Sequence, residues 1–212
     1  MELTDMTVKQ FSDVVASDAP APGGGSVAAL EGAVGASLIH MVAVLTTEKK
    51  RYKEHEILMA ELMQEAERLR IAHLDTIERD TQAFNKVSAV FAMPKGTEEE
   101  RELRKAAMQE ALMASTLTPF EIMTLSMKVL ELAQRAVGKS NASAASDLGV
   151  AALSLKAAIQ GAWLNILINI SGITDKAFAE KYRAEGEAIL KRTLPIADGI
   201  YEDVQALISR QR

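Results

Sequence analysis

Residues 17–45 read SDAPAPGGGSVAALEGAVGASLIHMVAVL. Two prolines and three consecutive glycines run straight into a long segment of Ala, Gly, Val and Leu. Pro and Gly punctuate secondary structure, so a turn ends near residue 25. The spacing after it predicts a helix from about Ser26 to Thr46. Small residues recur on that helix in two rows: Gly25, Ala28, Gly32, Gly35, and Ser26, Ala29, Ala33, Ala36, His40. Rows of this kind let another helix approach closely. A second segment, LGVAALSLKAAIQGAWLNILINI at 148–170, has the same character. Its steps Asp147, Ala151, Ser154, Ala158, Gly161, Asn165, Asn169 are small or polar, while Leu153, Leu155, Trp163, Leu164, Leu167 and Ile168 fill the other faces. That stripe either admits a neighbouring backbone or lines a pocket. Two such helices suit each other as the centre of a bundle.

The rest of the chain extends this reading. Helices are expected over Thr7 to Ala16, with Val8, Phe11, Val14 and Val15 on the buried side, and over His55 to Ala92. Thr97 and Glu100 form a capping box that opens a fourth helix. Thr118, Pro119 and Glu121 read as a second box opening a fifth, which Gly138 closes. The sixth runs to about Ile170. Thr174 caps a seventh, and Pro195 breaks or kinks it. No turn-bounded strand run occurs. Aromatic residues make up only 4% of the chain, and straight-chain residues and Ala dominate, as helices prefer. The expectation is one all-α domain over 1–212, a bundle of about seven helices with two central Ala/Gly-rich buried helices.

Composition also narrows function. Net charge is −5, from 24 basic and 29 acidic residues, which argues against nucleic acid as the main partner. There is no cysteine, hence no disulfide or thiol chemistry, and a reducing, cytoplasmic setting fits. The start MELTDMTVKQ is not a signal peptide. Glu31 and His40 interrupt one apolar segment; Lys156, Gln160, Asn165 and Asn169 interrupt the other. Core helices, not membrane spans, are expected from such polar content. The three histidines lack zinc spacing, so no metal is expected.

One polar residue stands out. Between 55 and 92 the core stripe runs Leu62, Ala66, Leu69, His73, Ile77, Asp80, Phe84, Val87, Phe91. A carboxylate there must be paired, hydrogen-bonded or neutralised. It is either a structural salt bridge or helix cap, or a carboxyl whose raised pKa fits it to move protons. His73 reads as structural. Gly23, Gly24, Gly25 and Ser26 open a helix whose first N–H groups lack internal partners, so the turn is either a flexible joint or a place where a ligand meets them.

Several of these stretches together resemble the cyclodeaminase/cyclohydrolase family: SDAPAPGGGSVAALEGAVGA, KKRYKE, IERDTQAFNKV, MPKGTEEE, LTPFEI, SNASAASDLGVAA and NILINISGITDKAF. The resemblance covers residues 10 to about 180. It implies an all-helical homodimer acting on a tetrahydrofolate that carries one carbon, with no covalently bound cofactor. The reaction implied is either hydrolysis of methenyltetrahydrofolate or ammonia-releasing closure of formiminotetrahydrofolate. The alternative is a non-catalytic folate-binding or scaffold subunit. The family's catalytic aspartate matches Asp80, and Glu78 stands where a second acid often precedes it. Ser140-Asn141 replaces the family's Gly-Asn. Beside this resemblance, the expected substrate contacts are Gly23, Gly24, Gly25, Ser26, Lys95, Asn141, Ser146, Asp147, Asn165 and Asn169. Lys49, Lys50, Arg51, Lys53 and Lys95 are candidates for the anionic glutamyl tail, which can carry more than one glutamate.

Overall fold

The computed structural model describes residues 2–210. Six α-helices form: α1 (Val8–Val15), α2 (Gly24–Thr46), α3 (Glu56–Phe91), α4 (Glu98–Ala136), α5 (Ala145–Ser171) and α6 (Lys176–Ser209). Short 3-10 turns occupy Leu3–Asp5, Lys50–His55 and Ala142–Ala144. The described residues contain no strand, and the fold is all-α as expected.

The described residues form six α-helices, not seven, because the expected fourth and fifth helices are one. Thr118 caps nothing, and Pro119 lies inside α4. A proline within a helix removes one hydrogen bond, to the carbonyl four residues earlier. Here that carbonyl belongs to Ser115, and it finds a substitute donor in Asn169 Nδ2 at 2.8 Å. The Thr97–Glu100 box does open α4, with both reciprocal bonds made. Asp175, not Thr174, caps α6: its side chain accepts from the Phe178 N–H at 3.0 Å, while Thr174 is held by Gln109. Pro195 does not break α6, which continues to Ser209. In α1 no residue is buried; Val8 is 89% exposed and Val15 is exposed too, because only part of this short helix touches the bundle.

α2 packs between α3 and α5, α4 packs against α3 and α5, and α6 lies along α5 and α4. The small-residue rows explain the tightness. A Cβ placed on Gly161 would lie 3.3 Å from Ala28 Cβ, and one on Gly35 would meet Leu155. These pairs also show that α2 and α5 are antiparallel. The core contains Ile39, Met59, Leu62, Leu69, Ile122, Met123, Leu130, Leu155, Ile159 and Ile166, all essentially inaccessible to solvent. His73 is fully buried among them, 3.4 Å from Ser126 Oγ through Nε2, with Gly32 against its ring. Among the described residues its Nδ1 has no partner, and burial holds its pKa down at about 4. A neutral structural imidazole follows.

α2 and the segment Ala142–Ser171 are long and apolar enough to cross a membrane by length and composition. One side of each packs into the bundle. The other side leaves Val34, Met41, Val44 and Leu45 on α2, and Val150, Leu153, Leu164 and Ile168 on α5, exposed.

Candidate active site

The helix directions bring the start of α2, the second half of α3, the middle of α4 and the end of α5 to one end of the bundle. A cavity of about 390 Å³ opens there. The stripe that forms the core through Leu62, Leu69 and Ile77 continues along α3 as the cavity wall, through Asp80, Phe84, Val87 and Phe91. Pro20, Ala21, Gly23, Gly24 and Gly25 form the second wall, Leu112 and Ser115 the third, and Asn165, Ile168 and Asn169 the fourth.

Asp80 is half-buried and bound to the start of α2. Ser26 Oγ donates to its Oδ2 at 2.9 Å, and the Ser26 backbone N–H donates as well. Thr81 Oγ1 lies 3.1 Å from the same Ser26 hydroxyl. Gly25 has a steric reason to be glycine: a Cβ there would lie 2.6 Å from Asp80 Cγ, too close for unbonded atoms. The carboxylate thus caps α2, where the helix dipole favours negative charge. Yet loss of water outweighs this help, and desolvation raises its pKa above the ordinary 3.8, with the Ser26 bonds opposing. The cap and the proton-moving carboxyl are not exclusive here. One oxygen is held by Ser26 while the group borders the cavity, and no cation pairs with it among the described residues.

The structure therefore brings together Gly23, Gly24, Gly25, Asp80, Asn165 and Asn169. Ser26 is fully buried behind the wall and touches Asp80 instead of the cavity. Asn141, Ser146 and Asp147 stand at the opposite end. Asp147 is 18 residues before Asn165 on α5, about 27 Å at 1.5 Å per residue. Asn141 Nδ2 donates to Leu45 O, and its N–H to Thr46 Oγ1, which ties the end of α2 to the start of α5. Ser146 is exposed. Lys49, Lys50, Arg51 and Lys53 lie beyond the C-terminus of α2, also at that distant end. Lys95 is exposed in the loop after α3 and does not border the cavity. Glu78 accepts from the Thr4 N–H at 3.1 Å and is likewise outside it.

Phe84, Phe91, Ser115 and Ile168 border the cavity without having been singled out as site residues. Phe84 and Phe91 sat in the apolar stripe, which reads as core until the helix is seen to overrun its partners. A serine four residues before a mid-helix proline was the available signal for Ser115.

The profile of the formiminotransferase-cyclodeaminase family matches residues 7–188. The chain belongs to that family. It is 38% identical over 203 residues to the methenyltetrahydrofolate cyclohydrolase of Methylorubrum extorquens, across 96% of this chain and 98% of the relative. It is 32% identical over 189 residues to the formimidoyltransferase-cyclodeaminase of Rattus norvegicus, of whose length it spans 35%. The crystal structure of formiminotetrahydrofolate cyclodeaminase from Thermotoga maritima superposes with a TM-score of 0.81 at 28% identity, covering 98% of both chains. The family's helical fold is thus present over nearly the whole chain.

Proposed function

We propose that the chain is a folate-dependent one-carbon enzyme acting on the amidinium of methenyltetrahydrofolate, and that Asp80 is its general acid and base. The observation that carries this is a half-buried carboxyl, without a cationic partner among the described residues, on the wall of a largely apolar cavity. An anion there attracts a cationic amidinium. A carboxyl with a raised pKa transfers protons closer to neutral pH than a free aspartate does.

Hydrolysis is the first reading, because the relative matched along its whole length bears the cyclohydrolase name. Water adds through oxygen to the amidinium carbon and gives a proton to Asp80. The carbon–nitrogen bond then breaks as Asp80 returns a proton to the departing nitrogen. Formyltetrahydrofolate results, and one proton is released overall. The second reading is the lyase reaction, in which a folate nitrogen closes on the formimino carbon and ammonia leaves; the fold match to a cyclodeaminase favours it. Phe84, Phe91 and Ile168 supply apolar surface for a flat ring, and Asn165 and Asn169 supply polar contacts. Gly23, Gly24 and Gly25 allow the ligand to come against the start of α2. A reducing cytoplasm fits the lack of cysteine.

A homodimer is the proposed assembly. The exposed apolar sides of α2 and α5 support it, since a helix apolar all round is normally covered. Sedimentation in detergent-free buffer tests this; a monodisperse monomer would reject it, and a requirement for detergent would favour a membrane instead. The distant Lys49, Lys50, Arg51 and Lys53 can serve a glutamyl tail only if a second chain brings them to the cavity.

The activity test is direct. Purified protein is incubated separately with methenyl- and formiminotetrahydrofolate while methenyl absorbance is followed. Accelerated loss with the first identifies the hydrolase. Growth with ammonia release in the second identifies the deaminase. Binding without turnover of either leaves a folate-binding subunit and refutes the enzyme.

A further inference from the structure

Among the polar contacts that join the end of α5 to α4, one has an unusual origin. In an uninterrupted α-helix the Ser115 carbonyl would accept from the N–H of residue 119. Residue 119 is proline and has no N–H. Asn169 Nδ2 takes the vacancy at 2.8 Å. A carbonyl can only accept, so nitrogen must be the amide atom that faces it. The sense of the Asn169 side chain is thereby decided, and Oδ1 is left without a partner among the described residues. Asn165 is oriented in the same sense: its Nδ2 donates to Gly161 O at 2.9 Å, and its Oδ1 is likewise unpartnered. Both residues border the cavity, as do Ser115 and Asp80.

We propose that Pro119 is a positioning residue of the site. By withholding its N–H it frees the Ser115 carbonyl, which holds Asn169 with its nitrogen turned to α4 and its oxygen offered to the cavity. Two amide oxygens and the Asp80 carboxylate then make the α3 and α5 walls of the cavity an array of acceptors, beside the N–H groups at the start of α2. The ligand edge that fits such a wall bears N–H donors, as an aminopyrimidine ring does, and a ligand bearing carboxylates at that edge is repelled. This reading of ligand chemistry rests on the proposed folate function; the Pro119–Ser115–Asn169 linkage does not.

The experiment is a double-mutant cycle of Pro119→Ala and Asn169→Ala, read by thermal unfolding and by steady-state kinetics with methenyltetrahydrofolate. Alanine at 119 restores the helical hydrogen bond, so Asn169 loses its anchor while α4 gains a good helix former. Pro119→Ala is expected to leave the melting temperature within a few degrees, to raise KM about five- to tenfold, the worth of one hydrogen bond, and to change kcat little. Asn169→Ala is expected to lower the melting temperature in the wild-type background and much less beside Pro119→Ala, where the Ser115 carbonyl already has a donor. In the Asn169→Ala background Pro119→Ala should no longer change KM. Asn169→Asp, which cannot donate to Ser115, should resemble Asn169→Ala in KM. Additive effects on melting temperature overturn the linkage. Melting temperatures that couple while KM stays at the wild-type value overturn the positioning role. If the wild-type protein turns over neither folate, the functional reading fails, and the thermal cycle still decides the linkage.

Discussion

Replacing Asp80 by asparagine separates the two roles that the carboxyl combines. The substitution keeps size and shape, and the amide oxygen can still accept from Ser26 Oγ, now 2.9 Å from Oδ2. What is lost is charge. Turning charge-assisted bonds into neutral ones costs roughly 1 kcal/mol, and loss of the favourable helix-start field costs about 0.3–1 kcal/mol. What is gained is release from desolvation, the largest influence on this group, which leaves its pKa raised despite both favourable effects. A carboxyl with a raised folded-state pKa binds more protons folded than unfolded between 3.8 and that pKa. Stability therefore falls as pH rises through this window, and the penalty persists at neutral pH. The neutral amide escapes it. Asp80→Asn should unfold at an equal or higher temperature than wild type at pH 7, by up to a few degrees at ~2–4 °C per kcal/mol. The difference should shrink as pH falls toward 3.8, because the folded wild-type carboxyl takes up its proton over this range and the unfolded one follows below it. Turnover should fall by ~10²–10⁴, the usual worth of acid–base catalysis. Scanning calorimetry from pH 4 to 8, with methenyl absorbance kinetics on the same samples, measures both. An Asn variant that melts lower at neutral pH and keeps near-normal turnover would show that the charge serves only to cap α2.

Gly25→Ala places a methyl group where the Asp80 carboxyl sits, so the carboxyl must swing away from Ser26. It should lose at least tenfold in turnover, and Gly24→Ala, whose added carbon would only touch Asn165 Nδ2 at 3.5 Å, should lose far less; equal effects would show that Gly25 matters for reasons other than Asp80. His73 contributes to the acid limb of the stability curve. Its folded pKa of about 4 lies below the ordinary 6.5, so the unfolded chain takes up its proton first and stability is lost as pH falls from 6.5 to 4. The loss from this group is about 3 kcal/mol by proton linkage. A His73→Gln variant, titrated by urea unfolding, should show a correspondingly flatter slope over that interval, and an unchanged slope would mean the imidazole charges readily inside the fold.

The amino-acid sequence by itself determined the helical class and most of the helix bounds, the pairing preference of α2 and α5, and the singularity of Asp80. Those are properties of periodicity and residue size, and they survive whatever packs around them. Gly25, Gly35 and Gly161 have to meet something close, and a carboxyl in an apolar stripe has to find partners. The proline signal at 119 was misleading for a related reason. Pro119 resembles a helix start in isolation, yet α4 runs through it, and the carbonyl it leaves free is taken by Asn169 from 50 residues further along. Tertiary structure alone decided which polar residues share a cavity. Asp147 and Asn165 lie on one stripe of one helix, yet a helix rises 1.5 Å per residue, and 18 residues carry them to opposite ends of the bundle. Periodicity tells which side of a helix a residue occupies; it does not tell where along its length the neighbouring helices stop. That end point is what turns Phe84 and Phe91 from core residues into the wall of a cavity.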